Sequence, residues 1–303
     1  MNAYSPSVAH HARAPPLDWC AAALLFSRQV PSKGRRITAL RHLVPAALGP
    51  RERESGDAVT CATSDHAQAT TTGTRQGTSL SLLNAFELRC DGRLVSLPLS
   101  AQRLLAFIAL HEHPLLRIYV AGTLWIDASD ERASGSLRSS LWRLNRPGHR
   151  LVEATSTHLH LVPGVQVDLR RAFGLARRLL DGSADADDLR AAQCALGGEL
   201  LPDWYDDWLL FERERFRQLS LHALEALADR LTGAGDVARA LEAALSAVGA
   251  EPLRESAHRA LIRVHLAEGN RGEALRQYAV CRRLLRERLG VEPSEQLDEL
   301  LER

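Results

Sequence analysis

"ERASGSLRSSLWRLNR", residues Glu131 to Arg146, is apolar on one side and basic on the other. Ala133, Leu137, Leu141 and Leu144 recur at the four-four-three spacing of a buried helix stripe, which leaves Arg132, Gly135, Ser139, Arg143 and Arg146 pointing away, with Trp142 at the margin. Arginine bonds bidentately to guanine edges or clamps phosphates, and small residues let a helix backbone approach a groove floor. The stretch therefore predicts a recognition helix. Its competing reading is an arginine-rich solvated face, because arginine is this chain's basic residue and Lys33 its only lysine.

The elements on either side set that helix in context. Upstream, Leu80, Leu82, Phe86 and Leu88 alternate, and Val95, Leu97 and Leu99 follow after Asp91-Gly92, the dipeptide of a type I′ hairpin turn whose two central residues need positive φ. Antiparallel strands are expected there. "AQRLLAFIALHEH" (Ala101 to His113) predicts a helix with Leu104, Leu105 and Ile108 inward, ended by Pro114. "RIYVAGTLW" (Arg117 to Trp125) predicts a short second helix with Ile118, Ala121 and Trp125 on one side. Ser129 or Asp130 then caps the third helix, with acids in its first turn where the helix dipole favours them. Downstream, Leu151 to Leu161 reads as a hairpin turning near Thr155 to Thr157, and Val165 to Leu169 as a returning strand. Strands, three helices and a hairpin are the elements of a winged helix-turn-helix.

Charge divides the chain of 303 residues unevenly. Residues 1 to 78 carry 9 basic and 5 acidic side chains, residues 79 to 166 carry 9 and 7, and residues 167 to 303 carry 20 and 25. Glu131 to Arg150 alone holds five arginines against one acid, a local patch that implies a local anionic partner. Residues 1 to 78 show no sustained periodicity and end in a polar tract, "CATSDHAQATTTGTRQGTS", so a disordered arm is expected. The five cysteines are far apart, without ligand spacing, as expected of reduced thiols in a cytoplasm; the longest N-terminal apolar run, "WCAAALLF", is too short to span a bilayer.

From Val167 the chain reads as helix after helix. "GDVARALEAAL" at Gly235 and "GNRGEALRQYA" at Gly269 start 34 positions apart, the period of a tetratricopeptide repeat. Ala240, Ala244, Ala247 and Pro252 fill its small-residue and proline positions, and Ala274, Tyr278 and Cys281 follow in the next. Glu251-Pro252 and Glu292-Pro293 are 41 apart, so seven extra residues are expected in the later helix. His158 and His160 share a strand face without a third ligand, which favours a wing surface over a metal site. Asp185, Asp187 and Asp188 read as a charged helix start, and Trp204 and Trp208 as core or interface anchors. No catalytic constellation, metal site or cofactor is expected, and the chain is read as a non-enzyme.

"SAQRLLAFIAL", "LLRIYVAGTLW", "ERASGSLRSSLWRL" and "VDLRRAF" resemble, in order and spacing, the DNA-binding half of SARP-like bacterial transcriptional activators. "DWYDDWLLFERERFRQLSLHALEAL" (Asp203 to Leu227) and the stretch Glu251 to Leu300 resemble the bacterial transcriptional activator domain. The resemblance implies a mainly α protein: a winged helix-turn-helix of the OmpR type with small antiparallel sheets over 79–166, then an α-helical tetratricopeptide-like domain over 167–303. Carried over by position, Arg132, Ser139, Arg143 and Arg146 are the groove-facing residues, with Arg138 and Arg117 as phosphate contacts. The implied function is sequence-specific regulation, as an activator, with double-stranded promoter DNA and RNA polymerase as partners. Protomers bind side by side or as a homodimer, in the cytoplasm at the nucleoid and without a membrane. The competing function is a protein-protein adaptor whose winged helix binds protein; a regulator needs the outward arginines and an adaptor does not.

Overall fold

The structure, a computed structural model, describes residues 77–146 and 149–302; the expected arm falls outside them up to residue 76. It opens with an antiparallel pair, β1 (Thr78–Ser81) and β2 (Glu87–Cys90), that sets Leu80 opposite Leu88 with both buried. Asp91 and Gly92 take φ of 49° and 77°, the left-handed pair a type I′ turn requires, and lead into β3 (Arg93–Leu94). Helix α1 (Leu99–Leu110) follows, with Leu104, Leu105, Phe107 and Ile108 in the core. It stops three residues before the expected His113, because Arg170 donates to the carbonyls of Ala109 (3.1 Å) and His111 (2.8 Å), satisfying groups that further helical turns would have used.

Strand β4 (Leu115–Leu116) leads into α2 (Arg117–Leu124), then α3 (Asp130–Leu144). A two-stranded hairpin, β5 (Asn145–Arg146) with β6 (His149–Arg150), joins α3 to the wing, β7 (Val152–Ala154) and β8 (His158–Leu161). The wing turns at the expected Thr155 to Thr157, and β4 pairs with β8 to complete a three-stranded sheet. That pairing sets the roll of α2: the Arg117 amide donates to the Thr157 carbonyl (2.9 Å), which turns Val120, Ala121 and Leu124 inward. Ile118, expected on the buried side, is 76% exposed instead.

The expected strand over Val165 to Leu169 is only β9 (Gln166–Val167), and it lies parallel to β1 in a sheet of order β3-β2-β1-β9. Asp168 ends it. Its carboxylate accepts the amides of Leu82 (2.9 and 3.0 Å), Leu83 (3.1 Å) and its own neighbour Leu169 (2.6 Å), which turns the chain into α4 (Asp168–Leu180). Burial pushes this carboxyl above the ordinary aspartate range, against the lowering by those amides.

The remaining helices are α5 (Ala186–Leu196), α6 (Asp207–Gly233), α7 (Val237–Ala250), α8 (Glu255–Ala267), α9 (Arg271–Leu289) and α10 (Glu295–Glu302). The aspartate cluster is a capping box: Asp185 caps α5 by accepting the Asp188 amide. The repeat reading holds at its small positions, since Ala240, Ala244, Ala247 and Ala274 are all buried. Of the seven extra residues, however, only five lengthen α9 over α7 (19 against 14 residues); Gly290, at φ 70°, ends the helix and puts the other two in the connection.

One hydrophobic core runs from Leu80 to Val264 without a break at residue 166, and a smaller cluster of Ile262, Ala274, Cys281, Leu285 and Leu297 holds α8, α9 and α10. Trp204 stacks on Phe86 (5.8 Å), and Trp208 meets Phe107 edge to face (5.2 Å), so both tryptophans anchor the helical half on the winged helix. The chain after β1 pairs with residues 199–201: the Asn84 amide donates to Glu199 and that of Leu201 to Leu82.

Asp168→Ala strands the buried amides of Leu82 and Leu83, so it should lower unfolding free energy by about 2–4 kcal/mol in urea titration, with Asp168→Asn costing less. A second measurement concerns His258, fully buried between the Pro252 carbonyl (2.9 Å from Nε2) and Gln277 (2.6 Å from Nδ1). Burial holds its pKa below the ordinary 6.5, so the folded state binds fewer protons than the unfolded. Its contribution is therefore present above pH 6.5 and declines as pH falls from there toward the lowered folded value, by at most about 1.4 kcal/mol per unit. Urea titrations from pH 8 to 5 on the wild type and His258→Gln should show the steeper decline in the wild type.

Candidate nucleic-acid interface

Helix α3 is amphipathic in the manner its sequence dictates. Ala133, Leu137, Leu141 and Leu144 are buried, joined by Ser140, while Arg132, Arg138 and Ser139 are exposed and Gly135 and Arg143 half-buried. Ser129 stands at the N-cap without a side-chain cap bond, and Asp130 and Glu131 supply negative charge to the first turn. Trp142, expected at the margin, is 69% exposed on the outward face between the Arg138 flank and the Arg132/Arg143 flank.

The helix ends at Leu144. Asn145 stops it: its side-chain amide donates to the Val152 carbonyl (2.8 Å), and its carbonyl oxygen accepts the amides of Leu151 and Val152 (both 3.1 Å). These bonds pull the chain sideways into β5, so Arg146 is not on the outward helix face as expected but in the strand after it; its side chain lies outside the described residues. Arg150, in the paired strand β6, is exposed. It adds to the positive charge of the Glu131–Arg150 patch, from a short hairpin with too little alternation to be read from sequence.

Arg117 has a different job from the arginines of α3. Its Nη1 donates to the Thr155 carbonyl (3.3 Å) and its amide to Thr157, so it braces the wing turn against the start of α2. On the wing, His158 bonds the Thr157 hydroxyl (2.9 Å) and His160 pairs with Glu153 (2.9 Å), which accounts for both rings as wing surface. Among the described residues no group of three or more metal-ligating side chains comes together.

The electrostatic contrast is between the two halves. In the helical half many arginines are paired, Arg178 with Asp188, Arg215 with Glu212, Arg217 with Glu214 and Glu251, Arg254 with Glu225, Arg263 with Asp229, and Arg282 and Arg286 sharing Glu292, whereas Arg171, Arg177, Arg283 and Arg288 have no carboxylate at ion-pair distance among the described residues. On α3, none of Arg132, Arg138 and Arg143 has a carboxylate at ion-pair distance among the described residues. The outward face of α3 is left unneutralised beside the wing.

Residues 167–303 match the bacterial transcriptional activator domain, a boundary that coincides with the end of β9. Regulatory protein AfsR of Streptomyces coelicolor is 30% identical over 227 residues, 70% of this chain. The chain's second half is thus a bacterial transcriptional activator domain, and the chain is similar to SARP-like bacterial transcriptional activators. It spans 23% of the length of AfsR. The solved structure of Mycobacterium tuberculosis EmbR in complex with a low affinity phosphopeptide shares the fold: TM-score 0.61 at 19% identity, covering 75% of this chain and 64% of that one. The mainly helical architecture of this chain is thus shared with EmbR.

Gly135 separates a structural from a functional reading of α3. A Cβ there would meet only the tip of Arg138, at 3.8 Å, so the fold does not require glycine, although mid-helix glycine costs about 0.5–1 kcal/mol relative to alanine. Gly135→Ala should therefore raise unfolding free energy by that amount while weakening DNA binding, read by thermal melting beside a DNA titration. A gain in both would show that nothing approaches the helix at this residue.

Proposed function

We propose that the protein is a sequence-specific DNA-binding transcriptional regulator that inserts α3 into a major groove. The observation that carries this is the amphipathic α3 beside the wing: an apolar stripe inward, and outward Arg132, Arg138 and Arg143 with no carboxylate at ion-pair distance among the described residues. Arg132, Ser139 and Arg143 face the base edges, Arg138 a phosphate on the opposite flank, and Arg146 the backbone just beyond the helix. Arg117 acts by holding the wing in register and meets phosphate with what remains of its fork.

Regulation is by activation: the winged helix holds the promoter, and the helical half, which carries 20 basic against 25 acidic side chains, contacts RNA polymerase rather than DNA. Protomers sit side by side on repeated sites. Domain limits at residues 79–166 and 167–303 describe this division of labour, although the core runs across the boundary. The reading assigns no catalytic role. Among the described residues no helix is long and apolar enough to cross a membrane, which agrees with a regulator acting on the nucleoid in the cytoplasm.

The test is genome-wide mapping of DNA bound by the purified full chain, followed by titrations on the enriched sequence. Arg143→Ala should cost about 1–3 kcal/mol and relax preference at one position where it reads a base. Arg138→Ala should weaken all sequences alike and lower the salt slope by about one. Absence of any enriched sequence, or unchanged binding by both variants, would overturn the reading in favour of the adaptor.

A further inference from the structure

A second surface lies at the start of α6, on the helical half. Tyr205 is 90% exposed, Leu210 58% and Phe211 59%, three large apolar side chains within seven residues. Asp207, Leu210, Phe211 and Glu214 share the outward side of the helix, opposite the buried Leu209 and Phe216. The ordinary explanation for an apolar residue just before a helix is a staple, in which the residue before the N-cap packs on the fourth helical residue. Here those positions are Tyr205 and Leu210, and the exposure of Tyr205 shows that no staple buries it.

The rim is acidic and uncompensated. Asp203 and Asp207 are exposed, and neither has a cation at ion-pair distance among the described residues. The arginines nearby in sequence are already engaged. Arg213 turns back to the carbonyls of Leu200 (2.8 Å), Leu201 and Trp204 (2.6 Å). Arg215 pairs with Glu212 and lies over the Phe173 ring (5.1 Å), and Arg217 pairs with Glu214 and Glu251. Arg103 is held by Asp206, which ties the base of this surface to the winged helix.

We infer that this surface docks a basic, amphipathic helical segment of another protein: apolar side chains against Tyr205, Leu210 and Phe211, and lysines or arginines against Asp203 and Asp207. The same carboxylates repel nucleic acid and anionic lipid, so charge selects a cationic protein segment. Aromatic and leucine side chains ringed by charge have the composition of an interaction centre with its rim. The inference stands on α6 and does not depend on what α3 binds.

The experiment uses the full chain and a fluorescently labelled helical peptide of leucine and lysine, with leucines every third or fourth residue, beside its scrambled isomer. The ordered peptide should bind and the isomer should not. Leu210→Ser with Phe211→Ser should weaken binding by at least about tenfold, and Asp203→Asn with Asp207→Asn should flatten its salt dependence. Both pairs of changes are at exposed positions, so melting and DNA binding should match the wild type. Equal binding by the scrambled isomer, or unchanged binding by both variants, would overturn the inference. So would loss of concentration-dependent self-association in sedimentation by the Leu210/Phe211 variant without loss of peptide binding, which would make the occupant a second copy. A loss of DNA binding by these variants would also overturn it, by placing the surface in the DNA interface.

Discussion

Asp168 accepts backbone amides from the segment after β1 and from the first turn of α4 at once, and the joint that supports the winged half follows from that. Leu82 and Leu83 follow β1 directly, Leu169 lies in the first turn of α4, and one carboxylate satisfies all three. Two residues later Arg170, on the same helix, takes the last carbonyls of α1. A single turn of helix thus fixes both the sheet and the central helix of the winged half. These are amide and carbonyl groups that would otherwise be left unpaired in a partly buried joint, and the cost of leaving them so makes the geometry specific. Phe107, between His111, Tyr119 and Trp208, packs on the result.

It follows that the two halves are not beads on a linker. Strand pairing across residues 82–84 and 199–201, the Arg103–Asp206 pair and the tryptophan contacts all cross the joint, and the core is continuous through it. A force applied to α6 reaches α1 through Trp208 and Phe107 rather than through a flexible segment. The winged half cut at residue 166 would lose Asp168, Arg170 and Trp208 together. The proposed DNA-facing surface and the packing unit therefore differ in extent: the first ends near β8, whereas the core that supports it extends into the helical half.

Much of this was legible where one local rule acts alone. The stripe of α3 and the Asp91-Gly92 turn follow from helix period and left-handed φ, and both stand as read. The capping aspartates and the anchoring tryptophans were legible for the same reason. What failed depends on partners distant in sequence. Ile118 was read inward from its spacing with Ala121 and Trp125, but the roll of α2 is set by the wing, about forty residues later. Arg146 was read on the outward helix face although the following proline disfavours helical backbone at the residue before it; Asn145 ends the helix there through β7. The end of α1 was read from Pro114, yet Arg170 ends it earlier. Asp168 itself looked like part of a strand.

The charge pattern carries the same lesson at the level of function. Counting arginines along the sequence does not distinguish a binding face from a solvated one, since the helical half holds more of them than the winged half. Pairing does. Arg254 shares Glu225 with Ser256 and reaches His222, and Arg263 makes two bonds to Asp229, so these guanidinium groups are absorbed in holding helices together. Desolvating such a pair to meet DNA would mean breaking it, whereas Arg132, Arg138 and Arg143 carry no such debt and can exchange water for phosphate or guanine directly. A wing braced by Arg117 and a helix ended by Asn145 flank those three, so their positive charge stands on a backbone held at both neighbouring turns.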